Sequence, residues 1–167
     1  VDIVRQKAIT DFNNIKQITS DITELTSKVY NHRNIVEVPV PSLFLDQDDI
    51  DLVISDNVLS QLAWPMAIFL EKHGINEDAI YQFCQEVIKA HLTYINNFHC
   101  TTCLITDHTK HSFNPRFEHT QSANTLYNIS LPFAPVTLKW QWYIEPKGES
   151  GRDAYAINDI SCLINPA

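Results

Sequence analysis

The densest group of residues capable of chemistry lies between positions 99 and 111. It holds a Cys-x-x-Cys motif, Cys100 and Cys103, followed by His108 and His111. Thiolate sulfur and imidazole nitrogen are the ligands that Zn²⁺ prefers, so these four side chains form a candidate metal site. Only four residues separate Cys103 from His108 and seven separate it from His111, whereas zinc fingers place about a dozen residues there. Structural zinc is therefore the alternative interpretation of this stretch.

A disulfide is the main interpretation of the cysteines. The chain has four of them, Cys84, Cys100, Cys103 and Cys162, and an even number permits disulfides in an oxidising compartment. The expected bond includes Cys100 or Cys103, either within that pair or with Cys84 or Cys162. Free thiols remain possible, because Cys84 falls on the apolar face of a predicted helix, where cysteine acts as a small hydrophobe.

The same stretch offers little for catalysis. Cys103 activated by His108 would be a nucleophile, but beyond Asp107 nothing in the sequence orients the pair or supplies an oxyanion hole. The chain has only three glycines, too few for a P-loop, a dinucleotide-binding loop or a nucleophile elbow. The sequence thus predicts that the protein is not an enzyme and binds no nucleotide, flavin or haem, with zinc the alternative cofactor.

Composition limits the partners and the size of the fold. The 167 residues are 44% hydrophobic, which predicts one domain, 1–167, with a single core. The net charge of −8 disfavours nucleic acid and anionic membrane surfaces. No apolar run approaches the length of a membrane span, so we expect membrane contact only through a segment preceding Val1.

The elements that must position these residues begin with a predicted long helix over 1–31. Its apolar residues follow a heptad-like, coiled-coil spacing, and they are Val1, Val4, Ala8, Ile15, Ile18, Ile22, Leu25 and Val29. The second half, from Ile15 to Val29, is expected to pack on the fold. The first half is expected to project as an assembly face for a protein partner or a second copy, formed by Val1, Val4, Ala8 and Phe12.

The middle of the chain predicts a connector and two helices. Pro39 and Pro41 exclude helix, so 32–45 should be an extended connector. A helix over 58–73 should end at Gly74. A further helix, capped by Asn76, should pair with it in antiparallel fashion.

The C-terminal part predicts an antiparallel sheet of three or more strands. Apolar residues alternate with polar ones over 127–133, 136–144 and 154–164, which is typical of strands with one dry face. The fold class is therefore α+β. Trp140 and Trp142 fall on the apolar phase and are expected in the core. A ligand-binding aromatic platform of Trp140, Trp142 and Tyr143 is the alternative.

In layout only, a long N-terminal helix, an irregular connector and a C-terminal sheet with a late cysteine resemble a pilin-like subunit without its membrane segment. This resemblance implies a pilus or secretion role. We therefore expect a non-enzymatic domain of a membrane-anchored protein, located in the periplasm or at the cell surface, that acts by assembly or ligand binding. The alternative is a cytoplasmic, zinc-stabilised adaptor or regulator that uses Cys100, Cys103, His108 and His111.

Overall fold

The computed structural model describes residues 14–145 and 155–167. These residues form three α-helices, five β-strands and a short 3-10 turn over Leu59–Gln61. The helices and strands, in chain order, are α1 (Thr26–His32), β1 (Leu52–Asp56), α2 (Trp64–Lys72), α3 (Glu77–Asn96), β2 (Thr101–Phe113), β3 (His119–Asn124), β4 (Val136–Glu145) and β5 (Tyr155–Asn165). None of the helices in these two ranges has the length and hydropathy that a bilayer crossing requires.

The five strands form one mixed sheet in the order β1-β2-β5-β4, with β3 pairing the far half of β2. β1 runs parallel to β2, and the other neighbours are antiparallel. The prediction of a purely antiparallel sheet is therefore wrong, because the connection from β1 to β2 contains both α2 and α3. A crossover of this kind returns the chain to the same end of the sheet, as parallel pairing requires.

The predicted long helix over 1–31 is also wrong. Residues 15–21 have no regular secondary structure, and α1 begins only at Thr26. Ile15, Ile18 and Ile22, expected in the core, are 47%, 53% and 36% exposed. Among the described residues of this heptad-like series, Leu25 and Val29 are the ones that are fully buried. The assembly face of Val1, Val4, Ala8 and Phe12 lies outside the described residues.

Polar side chains of the segment itself set the start of this helix. The carboxylate of Asp21 accepts hydrogen bonds from the backbone N–H groups of Thr23, Leu25 and Thr26 at 3.0, 3.1 and 2.8 Å. Glu24 has a left-handed φ of +52°, which a continuous helix does not permit. Asp, Ser and Thr side chains compete in this way for backbone N–H groups, so a heptad-like spacing of apolar residues does not by itself produce a helix here.

The two following helices are joined by a tight turn at Gly74. The N–H of Ile75 donates to the carbonyl of Leu70 at 3.2 Å and that of Gly74 to the carbonyl of Glu71 at 3.0 Å, a Schellman pattern. Gly74 has a φ of +77°, which glycine adopts at little cost. The predicted cap is present, since the Asn76 side chain accepts from the N–H groups of Asp78 and Ala79.

Packing defines two faces of the sheet. The inner face is the one against α3, where Leu104 and Leu163 pack with Ile88. A neighbouring cluster joins α1, α2 and α3 around Leu25, Met66, Leu70 and Cys84. The opposite, outer face carries Cys103, Ile105, Cys162 and Ile164, as strand alternation requires.

The strand prediction is correct for two segments and wrong for a third. Residues 136–145 and 155–165 form β4 and β5, but 127–133 is a loop. The cysteine- and histidine-rich stretch, for which the sequence pattern predicts no defined strand, forms most of the 13-residue β2. Two side chains hold the connector over 32–45 in place at Leu43. Glu24 accepts from the N–H of Leu43 at 2.9 Å, and the Tyr94 hydroxyl donates to the carbonyl of Leu43 at 2.7 Å.

Candidate functional site

A cleft runs along the inner face of the sheet, beneath the loop that connects β3 to β4. It consists of two adjoining cavities of about 330 and 520 Å³, and Ser130, Pro132 and Leu163 contribute to the walls of both. Ligand sites in proteins usually have volumes of this order and mostly apolar walls. The apolar part of the walls consists of Leu92, Ile95, Leu104, Leu126, Ile129, Leu131, Phe133, Ala134 and Leu163.

The roof of the cleft is held by hydrogen bonds from polar residues. Asn124 accepts from the N–H groups of Leu126 and Asn128, both at 2.9 Å. Gln85 of α3 donates to the Tyr127 carbonyl at 2.9 Å. Tyr127 and Asn128 have left-handed φ values of +50° and +62°, which turn the chain back over the sheet. These turns explain why the alternating pattern of this segment does not produce a strand.

Polar groups are concentrated in the larger cavity. His108, Thr137, Lys139 and Ser161 line it from the sheet. Lys139 lies directly opposite Ser161 in the pairing of β4 with β5, so it belongs to the inner face. It therefore places an ammonium group in this wall of the cavity. The cleft therefore has an apolar interior and a basic group at one end.

The predicted metal ligands are not brought together. Between Asp107 and Thr109 the pairing of β2 with β5 shifts by one residue at a bulge, so Cys103 lies on the outer face and His111 on the inner face. Cys100 precedes the strand. Within the described part of the chain, no three His, Cys, Asp or Glu side chains are arranged to hold a metal ion. The zinc interpretation receives no support from this arrangement.

The cysteines are thiols in the structure, and one pair is in contact. The sulfur atoms of Cys103 and Cys162 are 3.5 Å apart. Burial, together with the neighbouring Cys162 and Asp56, raises the pKa of Cys103 to about 11. Cys84 is buried among the helices as expected, and burial raises its pKa despite a hydrogen bond with Tyr127.

The aromatic platform is divided between the two faces. Trp140 and Trp142 are in edge contact with ring centroids 5.7 Å apart, and both lie on the outer face. Trp142 is 38% exposed. Tyr143 is 70% exposed on the inner face, where its ring lies 6.2 Å from that of Tyr155. The three side chains cannot bind one ligand together.

A hydrogen-bonded trio on the inner face was missed from the sequence. His111 joins the Ser122 hydroxyl through Nδ1 at 2.9 Å and the Asp159 carboxylate through Nε2 at 2.8 Å. Although burial alone would raise the pKa of Asp159, hydrogen bonds from His111 and Gln141 lower it. Each residue of the trio belongs to a different strand, so no short sequence motif predicts that the three come together.

This trio has the residue types of a hydrolase triad, but its surroundings differ from those of an active site. Acyl transfer also needs donors for the developing oxyanion and exclusion of water. Ser122 belongs to β3, all of whose residues are exposed. His111 and Asp159 keep about a quarter of their side-chain surface in solvent, 25% and 30%. The arrangement is suited to a hydrogen bond between the imidazole and the carboxylate across the sheet.

A second missed cluster is buried beside the 3-10 turn. The Asp107 carboxylate accepts from the Ser60 hydroxyl and, at 2.8 Å, from the Asn158 amide. The Asp107 N–H donates to the Asn57 side chain at 3.2 Å. The sequence contains one indication of this cluster. Asn158 is the one polar residue among the alternate positions 154–164 of the last predicted strand, which are otherwise apolar. Its Oδ1 atom is buried without a hydrogen-bond partner among the described residues.

The outer face carries an exposed apolar surface that ends at a sheet edge. The strand register places Ile54, Cys103, Ile164 and Val136 in one row across four strands. At the two ends of this surface, Ile54 is 58% exposed and Leu138 is 56% exposed. β4 forms the edge, since β5 is the strand it pairs with in the described part of the sheet.

The comparisons with known proteins identify no relative. The chain matches no known family model, no curated protein sequence and no solved structure.

Proposed function

We propose that this chain is a non-enzymatic, extracytoplasmic domain of a membrane-anchored protein, and that it works by assembling with a second copy of itself through β4. The observation that carries this proposal is the exposure of a long apolar edge strand. β4 has ten residues. On its outer face, Val136 is 43% exposed and Leu138 is 56% exposed.

Such an edge is unusual for a strand that stays unpaired. Natural edge strands are generally short, bulged or protected by charged residues. In β4 the register irregularity and the acidic residue are at the end of the strand, between Tyr143 and Glu145, and from 136 to 142 the one charged residue is Lys139. The outer N–H and C=O groups of an edge strand are a template for another strand. These properties support β4 as the place where a further strand is added to the sheet.

The pattern of β4 favours a second copy as the added strand. Two identical strands related by a twofold axis pair in antiparallel fashion. A register centred on Trp140 would oppose Leu138 to Trp142 of the second copy, and Val136 would lie opposite the irregularity that follows Tyr143. Lys139 would then oppose Gln141 of the second copy, so the two lysines do not meet. Apolar side chains thus face apolar ones along the strand, with no pairing of like charges.

The extracytoplasmic part of the proposal draws on the Cys103 and Cys162 thiols, whose sulfur atoms are 3.5 Å apart, a pair that an oxidising compartment would join. The alternative, a cytoplasmic zinc-stabilised adaptor, would need its ligands to converge. Cys103 and His111 lie on opposite faces of the sheet. The observations therefore favour the assembly role over the zinc alternative.

The test compares two leucines of similar exposure at opposite edges of the sheet. Leu138 of β4 is 56% exposed and Leu52 of β1 is 52% exposed. We expect sedimentation equilibrium to find a dimer for the unmodified chain and for Leu52→Asp, and a monomer for Leu138→Asp. Circular dichroism should find the same fold in all three proteins.

Two outcomes would contradict the proposal. One is an unmodified chain that is monomeric at the highest concentration measured. The other is equal dissociation by Leu52→Asp and Leu138→Asp, which would indicate that the outer face as a whole associates and that β4 does not pair.

A further inference from the structure

We infer that the cleft beneath the 126–134 loop binds a linear amphiphile with an anionic head group, of the fatty-acid class. This inference goes beyond assembly through β4 and does not depend on it, because the cleft lies on the inner face of the sheet. The argument follows from the shape of the two cavities, the chemistry of their walls and the position of Lys139.

The shape favours an extended ligand. The two cavities, of about 330 and 520 Å³, meet at Ser130, Pro132 and Leu163. One path therefore runs from the space beside Leu92 on α3 to the space beside Lys139 on β4. A single chain that passes the junction would contact both cavities, while a compact ligand would fill only one of them.

The walls favour a hydrocarbon chain in the smaller cavity. Leu92, Ile95, Leu104 and Leu163 line it together with Pro132. Burial of apolar surface contributes about 25 cal/mol per Å², and each methylene of a chain in this cavity would add to the affinity. The expected affinity therefore increases with chain length until the cavity is filled.

The larger cavity favours an anionic head group. Lys139 lies in its wall, near the hydroxyl groups of Thr137 and Ser161. The Thr137 hydroxyl donates to the Ala134 carbonyl at 3.4 Å, which leaves the ammonium and the Ser161 hydroxyl as donors. Such a pair is suited to a carboxylate, because the hydrogen bonds are charge-assisted. The nearby Asp159 carboxylate would oppose an anion, but it is already bound by His111 and Gln141 at 2.8 Å each.

The probes for the test are dodecanoate and dodecyltrimethylammonium, which share a chain and differ in the charge of the head. We expect isothermal titration calorimetry on the full chain, below the micelle concentration, to detect binding of dodecanoate and much weaker binding of the cation. Lys139→Gln should weaken dodecanoate binding about tenfold, the loss expected for one charge-assisted hydrogen bond. Lys72→Gln, at the end of α2 and outside the cleft, is the matched control and should leave the affinity unchanged.

A second variant tests the path between the cavities. Ser130 is exposed and lines both of them, so Ser130→Trp should block the junction without disturbing the core. We expect an unchanged melting temperature and loss of dodecanoate binding. The inference is overturned if dodecanoate does not bind, if both head groups bind equally, or if Lys72→Gln weakens binding as much as Lys139→Gln. Unchanged binding by Ser130→Trp would also overturn it.

Discussion

His91 is a titratable residue inside the core, and its environment makes the stability of the fold dependent on pH. The side chain is 1% exposed. Its Nε2 atom is 3.0 Å from the Ser55 hydroxyl, and its Nδ1 atom has no hydrogen-bond partner among the described residues. Burial lowers the pKa of His91 to about 4. The imidazole is therefore neutral in the folded protein at pH 7.

This lowered pKa predicts a loss of stability in mild acid. Between pH 6.5, where an unfolded histidine titrates, and about pH 4, the unfolded state binds the extra proton, so stability falls as the pH falls. The loss should reach at most about 3 kcal/mol. Urea unfolding of the unmodified chain from pH 7.5 to 4 should record it, and His91→Leu should remove much of the slope. Identical slopes in the two proteins would contradict this account of His91.

The sulfur contact between Cys103 and Cys162 narrows the disulfide prediction to one pair. Cys103 lies opposite Ile164 and Cys162 opposite Ile105, so the two cysteines are diagonal neighbours. Diagonal residues are about 7 Å apart at Cα, near the upper limit for a disulfide. We therefore expect a strained bond that is easily reduced.

Oxidised glutathione should form this bond by accepting two electrons and releasing two molecules of reduced glutathione. The reaction should be faster at pH 9 than at pH 7, because the thiolate is the attacking species and the pKa of Cys103 is raised. Mass spectrometry of unreduced peptides should find Cys103 linked to Cys162, and Cys103→Ser should abolish the link. A bond that joins Cys84 or Cys100 instead would show the pairing to be wrong.

For individual residues, the sequence predicted some roles correctly and gave no indication of others. The Asn76 cap and the buried Cys84 followed from local pattern, because each depends on neighbours within one helix. The trio of Ser122, His111 and Asp159 depends on the register of three strands. Without a bulge, Cys103 and His111 would lie on the same face of β2, but the bulge between them places these residues on opposite faces. No feature of the sequence predicts this bulge.

Among the elements, α1 depends most on a single polar residue. Asp21 precedes it and binds the N–H groups of Thr23 and Leu25, which lie ahead of the helix, and of Thr26, its first residue. We call this group of hydrogen bonds the Asp21 cap. Although burial alone would raise its pKa, hydrogen bonds from Thr23 and Thr26 lower the pKa of Asp21. The cap is therefore charged at neutral pH. It loses its stabilising effect only in acid, as the pH falls below the ordinary value for aspartate and through the lowered one.

Removal of this cap should destabilise the fold measurably. Asp21→Ala should lower the free energy of unfolding by about 1–2 kcal/mol, by analogy with the loss of an N-cap side chain, because it removes the hydrogen bonds to the N–H groups of Leu25 and Thr26. Asp49→Ala is the control, because Asp49 is an exposed aspartate in the acidic stretch 46–51, which precedes β1. Chemical unfolding at pH 7 provides the measurement. Equal effects of the two substitutions would indicate that Asp21 has no special role.

The helix prediction failed at the same place where Asp21 acts. A spacing of three and four residues indicates which side chains would share a face if the chain were helical. It does not show that a helix forms, because Thr19, Ser20, Asp21 and Thr23 favour turns and caps. By contrast, the helix after Asn76 has both the spacing and the cap, and it runs from Glu77 to Asn96.

For the molecule as a whole, the net charge of −8 should oppose association. Two acidic copies repel each other, and salt screens this repulsion over a Debye length of about 10 Å at 0.1 M. We therefore expect dimerisation through β4 to strengthen as sodium chloride is raised from about 50 to 500 mM. Sedimentation equilibrium at several salt concentrations provides the measurement. A dimer that weakens steadily with salt would contradict an apolar strand edge as the interface.

The overall architecture could be predicted only in part. The two C-terminal strands followed from alternation, but the mixed sheet did not, because the parallel pairing of β1 with β2 is long-range. The cleft was also not predicted from the sequence. Its roof depends on left-handed turns at Tyr127 and Asn128, residues that sequence patterns place in a strand.

The strand order has a consequence for synthesis on the ribosome. β5 lies between β2 and β4, although the chain makes both of these strands before it. Until residues 155–165 leave the exit tunnel, β2 and β4 each lack their main partner, and their apolar residues remain available to other nascent chains. Chaperone binding during translation should therefore be greatest after β4 emerges and should decline once β5 is complete.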